Sequence, residues 1–568
     1  MPVKIELLDD ETLGVSFPYE RGTVASIKRL QNRRWNSRDS RWEVHLSHLA
    51  ELLPLLGLKP GDVSEEIRGR FRRDWQRVSA AVELGPVHGR IAGSGLPLRA
   101  IDEATSFPIA GHQYSPRFKQ GRWDGRKHLF DIRRGTFPTG LWSRVRGCLE
   151  AHGVQYTLAG APRAEPGAPL ACPGAPTPLR EYQQRALERA LAGGRGIIQI
   201  ATGGGKTLLA AHLIRRIGRP AFFFVHTLDL LHQTRHVLER ELGVEIGILG
   251  DGQANLRPVT VATIQTATRA FEGRAAPRRR RAAPDDEEAR PEERELQVDE
   301  ATRQQIRDAL ERAEVAIFDE CHHVPAATFY TLAMRTGRAA WRFGLSATPW
   351  RDDDSDMLLE AALGERLAVV NCSELIEQGY LVAPRIHMTP VGGVRAAPGA
   401  RVEYQEWYRR AIVENQQRNR VIAARARQWV ADGRSVLVLV GQIAHGELLR
   451  QLLPEAQFIH GLLEGEARQR LLQQLERKLH PLLIATTLAD EGLDVPSLDA
   501  VILAGGGKSP TRAYQRIGRA LRPAAGKDEA LIQDFLDEAP YLRQHSAARL
   551  ALYRQEPAFR ICMETRRP

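Results

Sequence analysis

One glycine-rich loop carries the strongest chemical signal in this sequence of 568 residues. It reads Ile200-Ala-Thr-Gly-Gly-Gly-Lys206-Thr207 and lies between an apolar run and a helical pattern. The backbone N–H groups of such a loop, together with the N-terminus of the helix, form a binding site for phosphates. We expect Lys206 to neutralise the β- and γ-phosphates of a nucleotide and Thr207 to hold Mg²⁺. The usual pattern has glycine where Ile200 stands, so a glycine-rich turn without a ligand is the alternative.

An acidic pair follows a second apolar run. Asp319 and Glu320 come directly after Val315–Phe318. Downstream of a phosphate-binding loop, we expect Asp319 to make a second contact to Mg²⁺ and Glu320 to orient the attacking water. An acidic pair exposed at the end of a strand is the alternative. The Cys-His-His sequence at 321–323 does not predict zinc, because three adjacent residues cannot easily close around one ion.

Short apolar runs alternate with amphipathic helical patterns after residue 178. Runs that are apolar throughout are typical of parallel strands covered by helices on both faces. The predicted strands are Ile197–Ile200, Phe222–Val225, Val259–Thr263, Val315–Phe318, Phe343–Leu345, Val436–Val440, Leu482–Thr486, Ala500–Leu503 and Ala530–Asp534. We therefore expect two consecutive α/β domains, with the glycine-rich loop and the acidic pair at strand ends.

The first part of the chain has a different pattern. Residues 1–80 combine a strand-like start with two helical patterns, and residues 81–158 resemble short strands interrupted by Gly and Pro. Residues 159–178 alternate Pro, Gly and Ala and predict an extended linker. Residues 273–295 join an arginine run to an acidic run, which predicts a disordered insertion.

Composition excludes several classes of protein. With 43% hydrophobic and 26% charged residues, the chain is neither collagen-like nor wholly disordered. Its length predicts three or four domains of roughly 100–200 residues each. Five scattered cysteines argue against a disulfide framework, and we expect a cytoplasmic protein because no apolar run has membrane length and no signal-like start is present. The net charge of +11 favours an anionic partner, although an arginine-rich codon bias is the alternative explanation.

From Leu179 to about Ile561 the chain resembles the superfamily 2 DExH-box helicases, through six motifs in order. The similar segments are Leu179–Gln183 (the Q-type motif), Ala201–Thr207 (motif I), Asp319–His322 (motif II), Ser346–Thr348 (motif III), Ile484–Thr487 with Glu491–Asp494 (motif V) and Gln515–Arg522 (motif VI). The resemblance implies an α/β fold class, with two tandem RecA-like parallel-sheet domains preceded by a smaller α+β N-terminal region. It also implies ATP and Mg²⁺ as cofactors and DNA as the partner.

The resemblance also implies roles for individual residues. Nucleotide contacts are implied for Arg180, Gln183, Thr202, Gly203, Gly204, Gly205, Lys206, Thr207, Gly492 and Asp494. Catalytic roles are implied for Lys206, Asp319, Glu320, Gln515, Arg519 and Arg522, since arginines from a second domain can stabilise the γ-phosphate when the domains close. Coupling of hydrolysis to movement is implied for His322, Ser346 and Thr348. Backbone contacts to DNA are implied for Thr227, Thr263, Gln265 and Thr486, with strand capping as the alternative.

Within superfamily 2 the chain is similar to the phage recombination helicase (UvsW-like) group, with the XPB-like repair helicases as near relatives. The segments that carry this similarity are Asn415–Ile422, Val440–Gly446, Lys508–Arg512 and, upstream, Pro116–Arg126. The first sixty residues, with Val15–Tyr19, Arg33–Trp35 and Arg41–Trp42, resemble the HARP module of annealing helicases.

A basic segment from Arg117 to Arg146 holds nine basic residues against two acidic ones. Trp123, Phe130 and Trp142 are interleaved with them. This pattern suits a DNA junction, because basic charge follows phosphates and rings stack on splayed bases. The residues expected to bind DNA are Arg117, Lys119, Arg122, Trp123 and Arg126. A small β-domain with core aromatics and a solvated basic face is the alternative.

The sequence thus predicts an ordered set of segments. These are a HARP-like α+β module at 1–80, a small basic DNA-recognition domain at 81–158, the linker at 159–178, RecA-like domain 1 at 179–380 with the insertion 273–295, and RecA-like domain 2 at 381–568. We expect an ATP-dependent DNA helicase or translocase that remodels branched or duplex DNA in recombination or repair. An ATP-switched DNA-binding scaffold and the motor subunit of a restriction or defence system are the alternatives, and RNA stays open as a substrate.

Overall fold

Two units make up the fold, Met1–Arg163 and Ala164–Pro568. The structure is a computed structural model. It describes residues 3–28, 30, 33–75, 79–93, 95–109, 111–160, 169–271, 299–321, 327–347, 356–392, 394, 403–460, 465–486, 498–507 and 509–565. Each unit has its own sheets and hydrophobic cores.

The first half of the N-terminal unit is a four-stranded antiparallel sheet with three helices. The elements are β1 Lys4–Leu7, β2 Thr12–Ser16, α1 Arg21–Ile27, β3 Arg33–Asn36, β4 Arg41–His45, α2 Leu49–Leu55 and α3 Glu65–Trp75, with the strand order β1-β2-β4-β3. In β4 only Trp42 and Val44 are buried, because alternate side chains of a strand point to opposite faces. Both pack with Leu52 of α2 and Ile67 of α3 in one core.

The second half of this unit has its own sheet and core. Its elements are β5 Ser79–Leu84, β6 His88–Ala92, α4 Leu98–Ala104, β7 Ser106–Pro108, α5 Pro116–Lys119, β8 Arg126–His128, β9 Thr136–Pro138, α6 Trp142–Ala151 and β10 Gln155–Gly160. The sheet order is β10-β5-β6-β9, and β7 and β8 form a separate antiparallel hairpin. The predicted boundary after residue 80 falls inside β5, so the second module begins slightly earlier than expected.

The first α/β domain follows in the second unit. Its elements are α7 Glu181–Gly193, β11 Arg195–Ile200, α8 Lys206–Ile217, β12 Ala221–Val225, α9 Leu228–Leu242, β13 Gly247–Gly250, β14 Gln253–Asn255, β15 Val259–Thr263, α10 Ile264–Arg269, α11 Glu300–Arg312, β16 Val315–Phe318, α12 Ala327–Arg335, β17 Trp341–Ser346, α13 Asp356–Leu363, β18 Arg366–Val370 and α14 Cys372–Glu377. The sheet order is β14-β13-β15-β12-β16-β17-β11-β18, and the described pairs are parallel except β13–β14. Every residue of β12 and β16 is buried, as expected for strands covered on both faces.

The second α/β domain has a seven-stranded parallel sheet. Its elements are β19 Ala383–Val391, α15 Tyr404–Tyr408, a π-helical turn Arg409–Val413, α16 Gln416–Ala431, β20 Val436–Val440, α17 Ile443–Leu452, β21 Gln457–Ile459, α18 Gly465–Glu476, β22 Leu482–Thr486, β23 Ala500–Ile502, α19 Pro510–Ala520, β24 Glu529–Asp537, α20 Leu542–Tyr553 and β25 Arg560–Met563. The strand order is β21-β22-β20-β23-β24-β19-β25. The fold class predicted from the sequence is confirmed, with two tandem parallel-sheet α/β domains after a smaller α+β region.

All predicted strands of the two α/β domains are present. The sequence did not predict β19, because Pro384 and Pro390 interrupt its apolar pattern. Although β19 is an internal strand, β25 pairs only with its residues 385–388. Both prolines lie outside this stretch, so the N–H that each one lacks is not needed for the β19–β25 pairing. Within the described residues, every helix is too short or too polar to cross a membrane.

The expected linker at 159–178 is wrong at both ends. Residues 159 and 160 end β10, and residues 169–178, named the strap, bind the first α/β domain. In the strap, the N–H of Leu170 donates to Gly218 O at 3.0 Å and that of Gly174 to Leu242 O at 3.1 Å. The strap thus covers the carboxyl ends of α8 and α9, where backbone carbonyls lack helical partners. The expected insertion at 273–295 lies outside the described residues.

Candidate active site

The loop Ala201–Gly205, named the P-loop, joins β11 to the N-terminus of α8. Its turn requires positive φ angles at Gly203 (+82°) and Gly205 (+76°), which favour glycine. A Cβ on Gly204 would lie 2.3 Å from Cγ2 of Ile200, so this position has no room for a side chain. The backbone angle at Gly203 and Gly205 and the lack of space at Gly204 therefore explain why each position is a glycine, as in a phosphate-binding loop.

Helix α7 braces the P-loop. The hydroxyl of Tyr182 and Nε2 of Gln183 each donate to the carbonyl oxygen of Gly204 at 2.9 Å. Oε1 of Gln183 accepts from the N–H of Arg180 at 2.9 Å, and the residue is 2% exposed. The described contacts of Gln183 are therefore to the protein itself, and its expected nucleotide contact stays a prediction. The guanidinium of Arg180 lies 4.2 Å from the ring centre of Tyr380.

The acidic pair lies at the carboxyl end of β16, next to the P-loop helix. The ammonium group of Lys206 forms an ion pair with the carboxylate of Glu320. Glu320 has a φ of +45°, a left-handed conformation that is costly for a residue with a side chain. Asp319 is buried, and its N–H donates to Phe224 O at 2.9 Å. The structure thus places these three charged residues together, and their expected roles stay predictions.

The pKa values of this cluster depend on burial and mutual charge. Burial alone would lower the pKa of Lys206, but the charges of Glu320 and Asp319 outweigh it and raise the pKa. Burial raises the pKa of Asp319 to about 6, although the charge of Lys206 opposes this. Lys206 therefore stays protonated, and Asp319 lies where a further positive charge would stabilise its ionised form.

Helix α19 brings residues of the second α/β domain to the same place. Nε2 of Gln515 donates to Oε2 of Glu320 at 3.4 Å. A Cβ on Gly518 would lie 2.7 Å from Cβ of Thr202, so α19 packs directly on the P-loop. The glycine in this helix permits the close approach of the two domains.

The two arginines with predicted catalytic roles follow Gln515 in the chain. Arg519 comes four residues later in α19 and lies on the same side of the helix, and Arg522 comes after the C-terminus of α19. A Cβ on Gly203 would lie 3.6 Å from Cγ of Arg522. Burial lowers the pKa of Arg522, and Arg519 is half-buried. Arg522 thus lies against the P-loop, and Arg519 shares the helix side of Gln515.

Two threonines expected to contact DNA lie at the N-termini of helices. Oγ1 of Thr227 accepts from the N–H of Leu230 at 3.4 Å, at the start of α9. Oγ1 of Thr263 donates to the hydroxyl of Thr266 at 2.8 Å and is fully buried at the start of α10. Thr263 is fully buried, so its side chain cannot reach a phosphate. Both threonines cap helices and not strands as the alternative had it, and the expected DNA contact of Thr227 stays a prediction. Gln265 is half-buried.

Three further predicted residues of this unit, Thr207, Ser346 and Thr486, are buried or half-buried. Ser346 is buried at the end of β17, and Thr207 is half-buried in the first turn of α8. Thr486 is buried at the end of β22, and its hydroxyl has no hydrogen-bond partner among the described residues. The predicted residues outside the described part of the chain are His322, Thr348, Gly492 and Asp494.

In the N-terminal unit, the connection between β7 and β8 carries the expected DNA-binding side chains. Arg117, Lys119 and Arg122 are exposed. Arg126 is different, because its Nε donates to the hydroxyl of Ser106 at 3.0 Å and its Nη2 to the carbonyl of the same residue at 2.5 Å. These bonds join β8 to β7, so the described contacts of Arg126 are to the protein itself, and its expected contact with DNA stays a prediction.

Two aromatic residues of the basic segment, Phe130 and Trp142, belong to the core of the N-terminal unit, as the alternative in the sequence analysis has it. Phe130 is buried and Trp142 packs against the same core. Trp123 is half-buried, and its Nε1 donates to the carbonyl of residue 126 at 2.8 Å. The sequence prediction missed Tyr114, which is 76% exposed in the same connection. Its polar neighbours and the following proline predict a surface turn, which was the available signal.

Two family models match the α/β domains in order. Residues 177–351, which hold the P-loop and the acidic pair, match the model described as "Type III restriction enzyme, res subunit". Residues 418–524, which hold α19, match the model described as "Helicase conserved C-terminal domain". The two matches support a helicase of superfamily 2.

Curated proteins similar to this chain include a phage and a bacterial helicase. The ATP-dependent DNA helicase uvsW of Enterobacteria phage T4 is 22% identical over 543 residues, covering 84% of this chain and 97% of that protein. The DNA 3'-5' helicase XPB of Mycobacterium tuberculosis is 26% identical over 366 residues, covering 61% of this chain and 58% of that protein. The crystal structure of T4 UvsW has a TM-score of 0.40 at 21% identity and covers 86% of this chain and 99% of that chain. The chain spans about half the length of the first curated relatives that it matches.

Proposed function

We propose that the chain is an ATP-dependent DNA helicase or translocase that remodels branched or duplex DNA in recombination or repair. The observation that carries this proposal is the contact between Gln515 and Glu320, which joins the second α/β domain to the acidic pair beside the P-loop. A motor that closes its two domains on a nucleotide needs such a contact. The names of its superfamily 2 relatives, which are DNA helicases, support DNA as the substrate.

ATP hydrolysis would begin with an exchange of partners at Lys206. The γ-phosphate of bound ATP replaces Glu320 as the partner of the ammonium group, which frees the Glu320 carboxylate. Glu320 then accepts a proton from water while the water oxygen attacks the γ-phosphorus and the bond to the β-phosphate oxygen breaks. Gln515 and Arg519 on one side of α19, and Arg522 after its C-terminus, would stabilise the negative charge that develops on the phosphate oxygens.

The residues present fit a divalent metal ion. Thr207 offers a hydroxyl and Asp319 a buried carboxylate, and hard cations such as Mg²⁺ prefer oxygen ligands. Burial raises the pKa of Asp319, and a cation bound beside it would stabilise its ionised form. When bound there, Mg²⁺ would neutralise charge on the phosphate oxygens. In the described part of the chain, no three His, Cys, Asp or Glu side chains form another metal-ligand group.

The N-terminal unit would supply substrate choice. Arg117, Lys119 and Arg122 provide exposed positive charge, and Tyr114 provides an exposed ring in the same connection. Charge that follows phosphates and a ring that stacks on an unpaired base suit a branched DNA better than an uninterrupted duplex.

A second candidate is the motor subunit of a restriction system. The description of the family model that matches residues 177–351 favours it. DNA cleavage that depends on ATP would support this alternative over remodelling without cleavage.

One set of ATPase measurements tests the proposal. Hydrolysis is measured without nucleic acid and then with single-stranded, duplex, forked and four-way DNA and with RNA. We expect the largest stimulation from forked or four-way DNA. Equal, slow turnover under all conditions would instead support a scaffold that uses ATP only to switch conformation, and stimulation by RNA alone would overturn DNA as the substrate.

A further inference from the structure

A buried carboxylate, that of Glu556, links the two α/β domains. It follows α20 in the chain and is 8% exposed. Its Oε2 accepts from the N–H of Ser373 at 2.9 Å and from the hydroxyl of Ser373 at 2.5 Å. Its Oε1 accepts from the hydroxyl of Tyr514. One carboxylate therefore binds donors from α14 and from α19.

The first of these partners belongs to α14, the helix between the last strand of the first sheet and the first strand of the second. Asn371 caps α14 by accepting from the N–H of Glu374 at 2.8 Å, and Glu556 binds the N–H of Ser373 in the same turn. Negative charge at a helix N-terminus is stabilising. The opposite side of α14 supports the P-loop, since a Cβ on Gly204 would lie 3.3 Å from Cδ1 of Leu375.

The second partner belongs to α19. Tyr514 directly precedes Gln515, the residue that donates to Glu320. Tyr514 is buried, and its ring stacks on Phe559 with 6.0 Å between centres. Burial raises the pKa of Tyr514, so its hydroxyl stays protonated and remains a donor. The carboxylate thus holds α19 at the residue beside its contact with the acidic pair.

We propose that Glu556 is a positioning residue for ATP hydrolysis, which sets α19 against the P-loop through Tyr514 and Ser373. The proposal rests on the proposed function, because it concerns the same nucleotide site. Glu556 acts through other residues and does not touch the substrate. Without the Glu556 carboxylate, Gln515 and the two arginines should be held less precisely, and these residues are needed mainly in the transition state. The groups that bind ATP in the ground state should keep their positions.

The first test compares kcat and KM in Glu556→Ala, Glu556→Gln and Tyr514→Phe. We expect kcat to fall about tenfold in Glu556→Ala with KM for ATP within about twofold, since lost transition-state contacts lower kcat and kcat/KM together. Glu556→Gln keeps one acceptor oxygen and should retain part of the activity, as should Tyr514→Phe. An unchanged kcat in Glu556→Ala overturns the proposal.

The chain offers a matched control in Glu241. This carboxylate is 1% exposed and accepts from the N–H and the hydroxyl of Thr177, as Glu556 does from Ser373. It lies at the strap, at the carboxyl end of α9. Glu241→Ala should lower the melting temperature but leave kcat per folded molecule unchanged. An equal loss of kcat in both alanine variants would mean that Glu556 is only a stabilising residue and would overturn the proposal.

Two further measurements separate positioning from general damage. In the Gln515→Ala background, Glu556→Ala should lower kcat by a smaller factor than in the wild type, because the contact of Gln515 with Glu320 is already lost. In the nucleotide-free protein, Glu556→Ala should speed amide hydrogen exchange at α14 and α19 but not at α9. If exchange changes in this way while the wild-type chain lacks ATPase activity, the proposed function fails and the link between the helices stands. Unchanged exchange overturns the link itself.

Discussion

Lys206 and Glu320 form a largely buried ion pair beside the P-loop. During hydrolysis we expect Lys206 to bind phosphate and Glu320 to act on water. In this conformation the two groups satisfy each other, and Gln515 adds a hydrogen bond to the same carboxylate. In the proposed function, ATP competes with Glu320 for the ammonium group, so we expect the ion pair to affect nucleotide affinity.

Lys206→Ala should abolish ATP hydrolysis, with a fall in kcat of about 100-fold or more, because the phosphate charge loses its principal counter-charge. DNA affinity should stay within about twofold, since the exposed basic residues of the N-terminal unit are untouched. ATPase rates and DNA binding on one preparation check both statements. Substantial ATPase activity in the pure variant would contradict the site assignment.

Glu320→Gln should bind ATP at least as tightly as the wild type, but turn over about 100-fold more slowly. The amide keeps the shape of the side chain but cannot accept the proton from water. It also removes the carboxylate that competes with phosphate for Lys206, so the Kd for ATP should fall a few-fold. Calorimetric titration and single-turnover hydrolysis measure the two effects. Loss of nucleotide binding would show that Glu320 has a different role.

The elements of the site could be predicted from the sequence because their signals are local. An entirely apolar run such as Ala221–Val225 predicts a buried strand, and the glycines of the P-loop predict its turn. The roles of single polar residues could not be predicted in the same way. Thr263 at a junction between strand and helix suits a phosphate contact and a helix cap equally, and only its complete burial decides. Glu556 lacks any local signal, since its partners Ser373 and Tyr514 are distant in sequence.

Buried His445 should make the second unit less stable as the pH falls. Burial, aided by the charge of Arg418, lowers the pKa of His445 to about 3, against about 6.5 when the chain is unfolded. Below pH 6.5 the unfolded state therefore binds the proton more readily, and stability is lost progressively towards pH 3. Between pH 7 and pH 5 the loss should be about 2 kcal/mol.

Melting curves of wild type and His445→Gln from pH 7.5 to pH 5 measure this contribution. His445 Nε2 is 2.9 Å from Oδ1 of Asn419, and the Nδ2 of that asparagine donates to Val413 O, so Nε2 carries the proton. Glutamine can donate to the same oxygen without titrating, so the variant should lose much of the pH dependence. The exposed His480→Gln is the control and should keep it. Identical slopes in all three proteins would refute the assignment.

The strap predicts where the chain can be shortened without damage. A chain that begins at Pro169 keeps the strap on α8 and α9, whereas one that begins at Leu179 loses its hydrogen bonds and leaves the Glu241 carboxylate without Thr177. At about 1 kcal/mol for each lost bond, the shorter chain should melt roughly 5–10 °C lower. Equal melting temperatures would show that the strap adds no stability. Both chains should lose the preference for forked DNA if the N-terminal unit selects it.

Tyr114 and Trp123 should respond differently to truncation. Tyr114 is largely exposed beside Arg117, so Tyr114→Ala should weaken binding to forked DNA by roughly 1–3 kcal/mol at an unchanged melting temperature. Trp123 is half-buried and donates a hydrogen bond to the backbone, so Trp123→Ala should instead lower the melting temperature of the N-terminal unit. Melting and DNA binding are measured on the same samples.

The control for Tyr114 is Tyr19, which is 83% exposed in the same unit but lies next to Glu20 and outside the basic connection. Tyr19→Ala should leave DNA affinity unchanged, since an isolated ring beside an acidic residue does not attract a phosphate backbone. If both alanine variants lose affinity equally, surface aromatics contribute without a specific site. If Tyr114→Ala alone loses affinity, and does so for forked DNA more than for duplex, the connection between β7 and β8 is the part of the N-terminal unit that recognises unpaired bases.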